Sequence, residues 1–350
     1  MAGFPGYPRN FSRDSFTYGL LAEDFEATEA QIEFSAKHQG KKKDPLTGEE
    51  LGKIHHELDA GTGRGFKIGE LETTYNGCDT TAHFLEAVAW LAENGKPEIL
   101  RTHKRNIDAA LGYIYTHIGP DNLFREDPHL AGAQEYALRV TYWKDSAINS
   151  EDQDPQYPRI FSLAHFQNSH ALGRLGQVMN RPELVEQSEK MEEAGIKRLW
   201  NLGHFVTGIE GQQRVIDPMS SDSLHCLYYI EPTSEALPAG SAESIEAYSE
   251  PLETQAGYRA GMPTDSLNDY YHTNYVWTHE QAILHSAAER HKLEKAKLVA
   301  GRIIGYLSDG FPELISARDF LPAGNPTQLW AVGAGRYFEK SQLTTTSEAA

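Results

Sequence analysis

The chain has 350 residues, a formal net charge of −18 and a hydrophobic fraction of 39%. Nucleic acid and anionic membranes would repel so acidic a protein, so the composition argues against both as partners and favours a small neutral ligand. Two cysteines give no disulfide framework, no apolar run approaches the roughly 18 residues that span a membrane, and the first residues lack a secretory signal. A cytoplasmic protein is therefore expected.

Helical periodicity dominates the sequence from its start. The apolar spacing predicts a first helix from Phe16 to near Gly40, a loop over 41–76, and a second helix that begins at an N-cap Asp79 and ends in "ENGKP". Further helices are predicted at 97–118, 160–180, 182–200 (with Pro182 at N1), 218–230, 242–256, 277–291, 293–308 and 326–339.

Strand signals are few and short, namely "ALRVTYW" (137–143) and "HFVTGI" (204–209). The pattern predicts one all-α domain over residues 1–340, built from ten to twelve helices with long connections, and a disordered C-terminal tail over 341–350. Long loops in a compact helical domain are usually functional, so the acidic and aromatic residues in these loops are the candidates for chemistry.

Four acidic residues stand in or beside these loops: Asp14, Asp79, Asp145 and Glu313. Glycoside hydrolysis needs two carboxyl groups on opposite sides of a bond, one protonated and one ionised. An apolar wall such as Trp143 would raise the pKa of Asp145 by disfavouring its charged form. The neighbouring cation of Lys144 would oppose that effect if it lay close.

Each candidate also has a purely structural interpretation. Asp79 could serve only as a helix N-cap, Arg13–Asp14 could be a surface ion pair, and Trp143, Trp277 and Trp330 could be core aromatics. Metal sites are not indicated, because "HHEL" (55–58) and "THEQ" (278–281) do not continue into a zinc-binding H-E-x-x-H motif. No metal or organic cofactor is expected.

Eight stretches in a fixed order are more specific than any one of them. They are "AGFPGYPRNFSRDSF" (2–16), "TGEELGKIHHEL" (47–58), "TYNGCDTTAHFL" (74–85), "YWKDS" (142–146), "SDSLHCLYYI" (221–230), "YVWTHEQAIL" (275–284), "FPELI" (311–315) and "NPTQLWAVGA" (325–334). This order resembles the catalytic domain of bacterial amylo-α-1,6-glucosidase-type proteins, the glucosidase part of glycogen-debranching enzymes, which are relatives of the glucoamylase-like inverting glycosidases.

The resemblance covers residues 2 to about 338 and implies an (α/α)6 toroid of the six-hairpin glycosidase type. It also implies that Asp145 is the general acid and Glu313 the general base, and that Arg13 and Asp14 hold hydroxyls of the sugar. Other positions that line the funnel in such enzymes correspond to Asp79, Trp143, Lys144, Trp277, His279, Gln328 and Trp330.

The sequence departs from that family in several places. Ser12 replaces the usual Gly before Arg-Asp, Cys78 begins a C-D-T-T stretch where V-D-A-T is common, and "WTHE" replaces W-P-H-D. Met1 lies almost on the first motif, so the β-rich N-terminal domain of such proteins is not expected within these 350 residues.

The sequence therefore predicts an inverting glycosidase acting on a neutral α-glucoside or short α-glucan. One alternative is a sugar isomerase or polysaccharide lyase that uses His225, His272 or His279 as a base. Another is an inactive carbohydrate-binding relative. The sequence indicates no particular oligomeric state.

Overall fold

A computed structural model of the protein describes residues 2–4, 6–145, 155–211, 213–262, 271–307 and 310–348. Twelve α-helices lie in this part of the chain, within the predicted number. In chain order α1 to α12 are Ser12–Ala22, Phe25–Lys37, Thr80–Glu93, Glu98–Thr102, Lys104–His117, Ser162–Met179, Pro182–Leu199, Asp222–Cys226, Ser241–Ser249, Thr278–Arg290, Glu294–Gly301 and Leu329–Glu348. Single 3₁₀ turns occupy Pro128–Ala131, Glu250–Leu252 and Arg302–Tyr306.

The strands of the described residues are short, each two or three residues long. In chain order β1 to β16 are Gly3–Phe4, Asn10–Phe11, Glu57–Leu58, Lys67–Ile68, Leu71–Glu72, Arg159–Phe161, Trp200–Asn201, His204–Phe205, Gly208–Glu210, Arg214–Ile216, Glu253–Thr254, Gly257–Tyr258, Tyr275–Trp277, Leu314–Ser316, Pro322–Ala323 and Thr327–Gln328. All the pairings between these strands are antiparallel, in sheets of two or three strands.

Six helices contact one another in succession. Helix α1 packs against α3, α3 against α6, α6 against α8, α8 against α10 and α10 against α12, and α12 in turn packs against α1. Helices α2, α5, α7, α9 and α11 pack against members of this set. The last helix of the chain therefore lies beside the first.

Burial distinguishes the two sets of helices. Helix α6 is buried over most of its circumference, with Leu163, Phe166 and Leu172 in the main hydrophobic core. Helix α7 buries one stripe, formed by Leu184, Met191, Gly195, Ile196 and Leu199. A helix that is apolar on one side only packs on a core with that side and presents the other to solvent.

Four helices of the successive set begin directly after a short strand. Strand β2 leads into α1, β6 into α6, β13 into α10 and β16 into α12. These junctions bind the ends of the chain together, since β1 pairs with β16 and the backbone N–H of Leu329 donates to the carbonyl of Ala2 at 2.7 Å. The helix starts are thus joined to the sheets by backbone hydrogen bonds.

Two predicted helices are broken in the structure. The single helix expected from Phe16 to Gly40 is α1 plus α2, because Glu23 adopts a left-handed conformation with φ 51° and Asp24 then caps α2. The helix expected over 97–118 is interrupted at His103. The first break depends on the left-handed Glu23 and the cap from Asp24, which an apolar spacing count does not detect.

Other boundaries also differ from the prediction. The helix predicted at 218–230 is only Asp222–Cys226, and 137–143 forms no strand, because the carbonyl of Thr141 accepts from the N–H of Cys78 rather than from a strand ladder. Pro182 stands in the first turn of α7 as predicted. Helix α12 continues to Glu348, into the segment for which a disordered tail is predicted. Among the described residues, no helix combines the length and apolar character needed to cross a membrane.

The cap of α2 is a testable feature of this fold. Asp24 Oδ1 accepts from the backbone N–H of Ala27 at 3.0 Å, and its Oδ2 accepts from the hydroxyl of Tyr18 at 2.9 Å. We expect Asp24→Ala to lower the free energy of unfolding by about 1 kcal/mol in urea titrations, because the first turn of α2 loses its acceptor. Asp24→Asn keeps an acceptor oxygen and should lose less than half as much. Equal losses in the two variants would contradict the capping role.

Candidate active site

One pocket collects residues from several of the strand–helix junctions. We call it the carboxylate pocket, and its cavity volume is about 90 Å³. Its lining residues are Ala2, Tyr7, Phe11, Arg13, Asp14, His56, Trp143, Asp145, Tyr271, Trp277, Glu313, Gln328 and Trp330.

The junctions explain why residues so distant in sequence meet here. Arg13 and Asp14 lie in the first turn of α1, Trp277 is the last residue of β13, and Gln328 ends β16 just before α12. Glu313 directly precedes β14, whose Leu314 pairs with Trp277. Pairing between the two strands therefore brings Glu313 to the start of α10.

Arg13 connects three parts of the pocket wall. Its Nε and Nη2 donate to the two carboxylate oxygens of Asp79 at 2.8 and 2.9 Å, and Nη2 also donates to the carbonyl of Thr141 at 3.2 Å. Both side chains are buried. Asp79 occupies the N-cap position of α3, but its side chain makes no capping bond and serves Arg13 instead. The predicted N-cap is thus the buried partner of a guanidinium.

Asp145 lies in a turn at the pocket, where it is partly exposed. Burial raises the pKa of its carboxyl to about 6; Arg13 opposes that effect, and the negative charges of Asp79 and Glu57 add to it. A carboxyl with such a pKa carries its proton in a substantial fraction of molecules near neutral pH. It is therefore able to act as a proton donor.

Glu313 is held by donors on both of its oxygens. The hydroxyl of Tyr271 donates to Oε1 at 2.6 Å, while the backbone N–H and the side-chain amide of Asn325 donate to Oε2 at 2.9 and 3.0 Å. Gly324, at φ +69°, leaves the space for this carboxylate, since a Cβ there would lie 2.6 Å from Oε2. These contacts hold Glu313 in one orientation.

Asp14 is a third carboxyl in the pocket. Burial raises its pKa to about 7, Arg13 lowers it, and the negative charge of Glu313 raises it further. The side-chain amide of Gln328 donates to Asp14 Oδ1 at 2.9 Å, which joins the first helix of the chain to the last. Asp14 is therefore close to half protonated at neutral pH.

Stacked aromatic rings form and support one wall. Trp143 makes edge contacts with Trp277 and with His279, at centroid distances of 5.6 and 5.0 Å. His279 stacks on Trp330 at 3.8 Å, and His272 stacks on Trp277 at 4.7 Å. Burial lowers the pKa of both histidines well below its usual value. The wall is accordingly aromatic and uncharged.

The structure brings most of the predicted site residues together. Arg13, Asp14, Trp143, Asp145, Trp277, Glu313, Gln328 and Trp330 all line the pocket. Asp79 and His279, although described, are not lining residues and instead support Arg13 and Trp330 from behind.

Lys144 departs from its predicted place as a substrate-binding residue. Its ammonium is buried away from the pocket lining, where it donates to Ser221 Oγ at 2.7 Å and to the carbonyl of Ala260 at 2.8 Å. It also pairs with Asp222 Oδ1 at 2.7 Å.

Sequence reasoning missed several members of the site. Tyr7, Phe11, His56 and Tyr271 line the pocket, and Asn325 orients Glu313 from outside it. Tyr7 and Phe11 lie within the first recognised stretch, so the sequence held a signal for them. Tyr271 lies outside every recognised stretch, and nothing local marks it. The described residues contain no group of three or more His, Cys, Asp or Glu arranged to hold a metal ion.

Comparison with known proteins gives no match by sequence: no family model matches the chain, and no curated protein does. The resemblance to amylo-α-1,6-glucosidases therefore stays a prediction. In structure, the chain is similar to the GH63 mannosylglycerate hydrolase from Thermus thermophilus in complex with glucose, with a TM-score of 0.69 and 14% identity over 97% of this chain and 95% of that chain.

The same enzyme in complex with Tris gives a TM-score of 0.71 at 13% identity, over 97% of this chain and 95% of that chain. The GH78 family rhamnosidase of a Bacillus species gives 0.59 at 12% identity over 95% of this chain. This chain covers 32% of the rhamnosidase, about a third of its length. The protein thus shares its fold with glycoside hydrolases.

The raised pKa of Asp14 predicts a pH-dependent cost to folding. Because the folded protein holds the Asp14 proton more tightly than the unfolded chain, this proton stabilises the folded state. The stabilisation is complete below pH 3.8 and is lost as the pH rises through about 7. The free energy of unfolding of Asp14→Asn, taken relative to that of the wild type, should therefore rise by about 2–3 kcal/mol between pH 5 and pH 8.

Denaturant titrations at both pH values would measure this gain. Asp24→Asn is the matched control. Hydrogen bonds lower the pKa of Asp24, so its contribution to the free energy of unfolding does not change between pH 5 and pH 8. A difference between the wild type and Asp14→Asn that is the same at pH 5 and pH 8 would contradict a raised pKa at Asp14.

Proposed function

We propose that the protein is an inverting glycoside hydrolase of the six-hairpin type, with its active site in the carboxylate pocket. The observation that supports this most is the meeting of Asp145 and Glu313 in one aromatic-walled pocket. The proposed fold is an (α/α)6 toroid over residues 1–340. The succession of helix contacts from α1 through α12 and back to α1 is compatible with it.

Asp145 is the proposed general acid. Its carboxyl has a pKa of about 6, and it donates a proton to the glycosidic oxygen as the bond to the anomeric carbon breaks. Without that proton the leaving group would depart as an alkoxide, which is a poor leaving group in water. The apolar wall formed by Trp143 and Trp277 limits the water that could stabilise an ionised Asp145.

Glu313 is the proposed general base. It removes a proton from a water molecule that attacks the anomeric carbon from the face opposite the leaving group. Tyr271 and Asn325 hold the carboxylate in place while leaving it lone pairs with which to accept that proton. The two carboxyl groups of an inverting enzyme stand roughly 6.5–9.5 Å apart, which leaves room for the water.

The sugar itself would be bound by the remaining lining residues. Asp14 and Gln328 offer hydrogen-bonding groups for its hydroxyls, and Trp330 offers a flat face for the ring. Arg13 contributes chiefly by holding Asp79 and Thr141. The proposed cytoplasmic location follows from the composition alone.

The proposed substrate is a neutral α-glucoside or short α-glucan. Among the described lining residues, Arg13 is the one cation, it is already paired with Asp79, and it stands beside three carboxyl groups. An anionic sugar ring would meet more negative than positive charge there. The histidines that would support an isomerase or lyase, His225, His272 and His279, are not among the described lining residues.

The stereochemistry of the product tests the mechanism. We expect the purified protein to release β-glucose from at least one α-linked substrate among maltose, isomaltose, trehalose, methyl α-glucoside and glucosylglycerate. Proton NMR would detect the β-anomeric signal before mutarotation, because water attacks from the opposite face. Mannosylglycerate should be added, since a neighbour in fold is named for its hydrolysis. Initial release of α-glucose from methyl α-glucoside would rule out inversion.

Replacement of the acid tests the role of Asp145. We expect Asp145→Asn to reduce kcat for methyl α-glucoside by about 10²–10⁴-fold, because an amide cannot protonate the leaving oxygen. Hydrolysis of α-glucosyl fluoride should fall far less, since fluoride departs without a full proton transfer. Unchanged thermal unfolding of Asp145→Asn would serve as the control, and full activity of the variant on both substrates would refute the assignment.

In the wild type, kcat/KM for methyl α-glucoside should decline above about pH 6, where Asp145 loses its proton.

A further inference from the structure

Segment 141–144 is anchored at every residue on its way to Asp145. The carbonyl of Thr141 accepts from the N–H of Cys78 at 3.0 Å and from the guanidinium of Arg13. The hydroxyl of Tyr142 donates to Asp222 Oδ2 at 2.8 Å. Trp143 is enclosed by aromatic rings. The backbone that presents Asp145 is therefore held from the preceding side.

Lys144 makes the strongest of these attachments. Its ammonium donates hydrogen bonds to Ser221 Oγ at 2.7 Å and to the Ala260 carbonyl at 2.8 Å, and it forms an ion pair with Asp222 Oδ1 at 2.7 Å. The side chain is about 1% exposed. Its partners come from the start of α8 and from the segment after β12. These three contacts restrict the conformations open to the buried side chain.

A second carboxylate and an aromatic ring complete this cluster. Glu280 in α10 lies 3.6 Å from the ammonium and accepts from Ser221 Oγ at 2.5 Å. The ring of Trp143 lies 4.9 Å from the ammonium. We call Tyr142, Lys144, Ser221, Asp222 and Glu280 the anchor cluster. It joins the segment before Asp145 to α8 and α10.

We propose that Lys144 is a positioning residue for the catalytic acid: by locking the backbone into the anchor cluster, it sets where the Asp145 carboxyl stands relative to the glycosidic oxygen. This inference rests on the proposed function, since it requires Asp145 to be the acid. Lys144 itself does not contact the substrate, because it is buried outside the pocket lining.

The effect is one of position rather than of charge. The charged groups that dominate the electrostatics of Asp145 are Arg13, Asp79 and Glu57, and the Lys144 ammonium faces Asp222 and Glu280 instead. A general acid must stand within hydrogen-bond reach of the atom that it protonates. A displacement of about 1 Å is enough to cost about 100-fold in rate.

The test compares two probes that differ in their need for the acid. Methyl α-glucoside requires protonation of its leaving oxygen, whereas α-glucosyl fluoride does not. We expect Lys144→Met to lower kcat for methyl α-glucoside by about 100-fold with KM nearly unchanged. Its kcat for α-glucosyl fluoride should fall less than about 5-fold. The variant would thus reproduce the pattern of Asp145→Asn while keeping the carboxyl.

Lys53→Met is the matched control. Lys53 is also buried, pairs with Glu50 at 3.2 Å and lies 4.6 Å from the ring centroid of Tyr136, but it is not in the carboxylate pocket or next to Asp145. The Lys53→Met variant should lose about as much stability as Lys144→Met and keep its activity on both probes. If Lys144→Met does not fold, Tyr142→Phe replaces it. That variant removes only the hydroxyl that donates to Asp222. It should show the same selective loss of kcat for methyl α-glucoside, at about 5–10-fold.

Each outcome decides between the hypotheses. A selective loss on methyl α-glucoside in Lys144→Met or Tyr142→Phe, with Lys53→Met unaffected, supports the positioning role. Equal losses on both probes, or unchanged activity, overturn it and leave the proposed function standing. If the wild type releases glucose from neither probe and from none of the other α-linked substrates named above, the proposed α-glucosidase function is overturned, and the role of Lys144 is overturned with it.

Discussion

The buried ion pair between Arg13 and Asp79 is the contact on which the pocket depends. It joins the first turn of α1 to the start of α3, and the same guanidinium holds the carbonyl of Thr141. Leaving either partner alone in this position would cost about 3–5 kcal/mol, because an uncompensated charge would remain buried. The pair therefore couples the fold of the N-terminal helix to the position of the segment that leads to Asp145.

The two proposed catalytic carboxyls are held in different ways. Glu313 is held directly, by hydrogen bonds to its own oxygens from Tyr271 and Asn325. Asp145 is positioned through its backbone, by the residues that precede it. This difference suits their roles: a general base must keep one orientation toward water, whereas a general acid gains from an apolar surrounding with few donors, which keeps its proton in place.

The sequence predicted the helical class, the approximate helix number and eight of the residues that line the pocket, chiefly because several short stretches stand in a recognisable order. Contacts between partners that are distant in the chain are beyond its reach. Gln328 meets Asp14 across 314 positions, and Lys144 turns toward Ala260 across 116. No local pattern reports the direction of a side chain in a loop, so the sequence alone indicates neither the partners of Lys144 nor the place of Tyr271. Helix breaks such as Glu23–Asp24 depend on one left-handed residue and one cap, which apolar periodicity does not register.

The carboxyl groups of the pocket also lower the stability of the folded protein. Asp14, Asp145 and Glu313 line it together with one cation, and burial raises the pKa of both aspartates into the range of 6 to 7. A fold selected for stability alone would not place these carboxyls together, because ionisation of Asp14 and Asp145 at neutral pH works against folding. The anchor cluster and the Arg13–Asp79 pair supply the rigidity that this arrangement needs. The fold is shared at 14% identity with an enzyme named for a different sugar conjugate. The proposal of hydrolysis therefore rests on the carboxyl groups and not on the fold. The substrate depends on the residues that line the pocket around those groups.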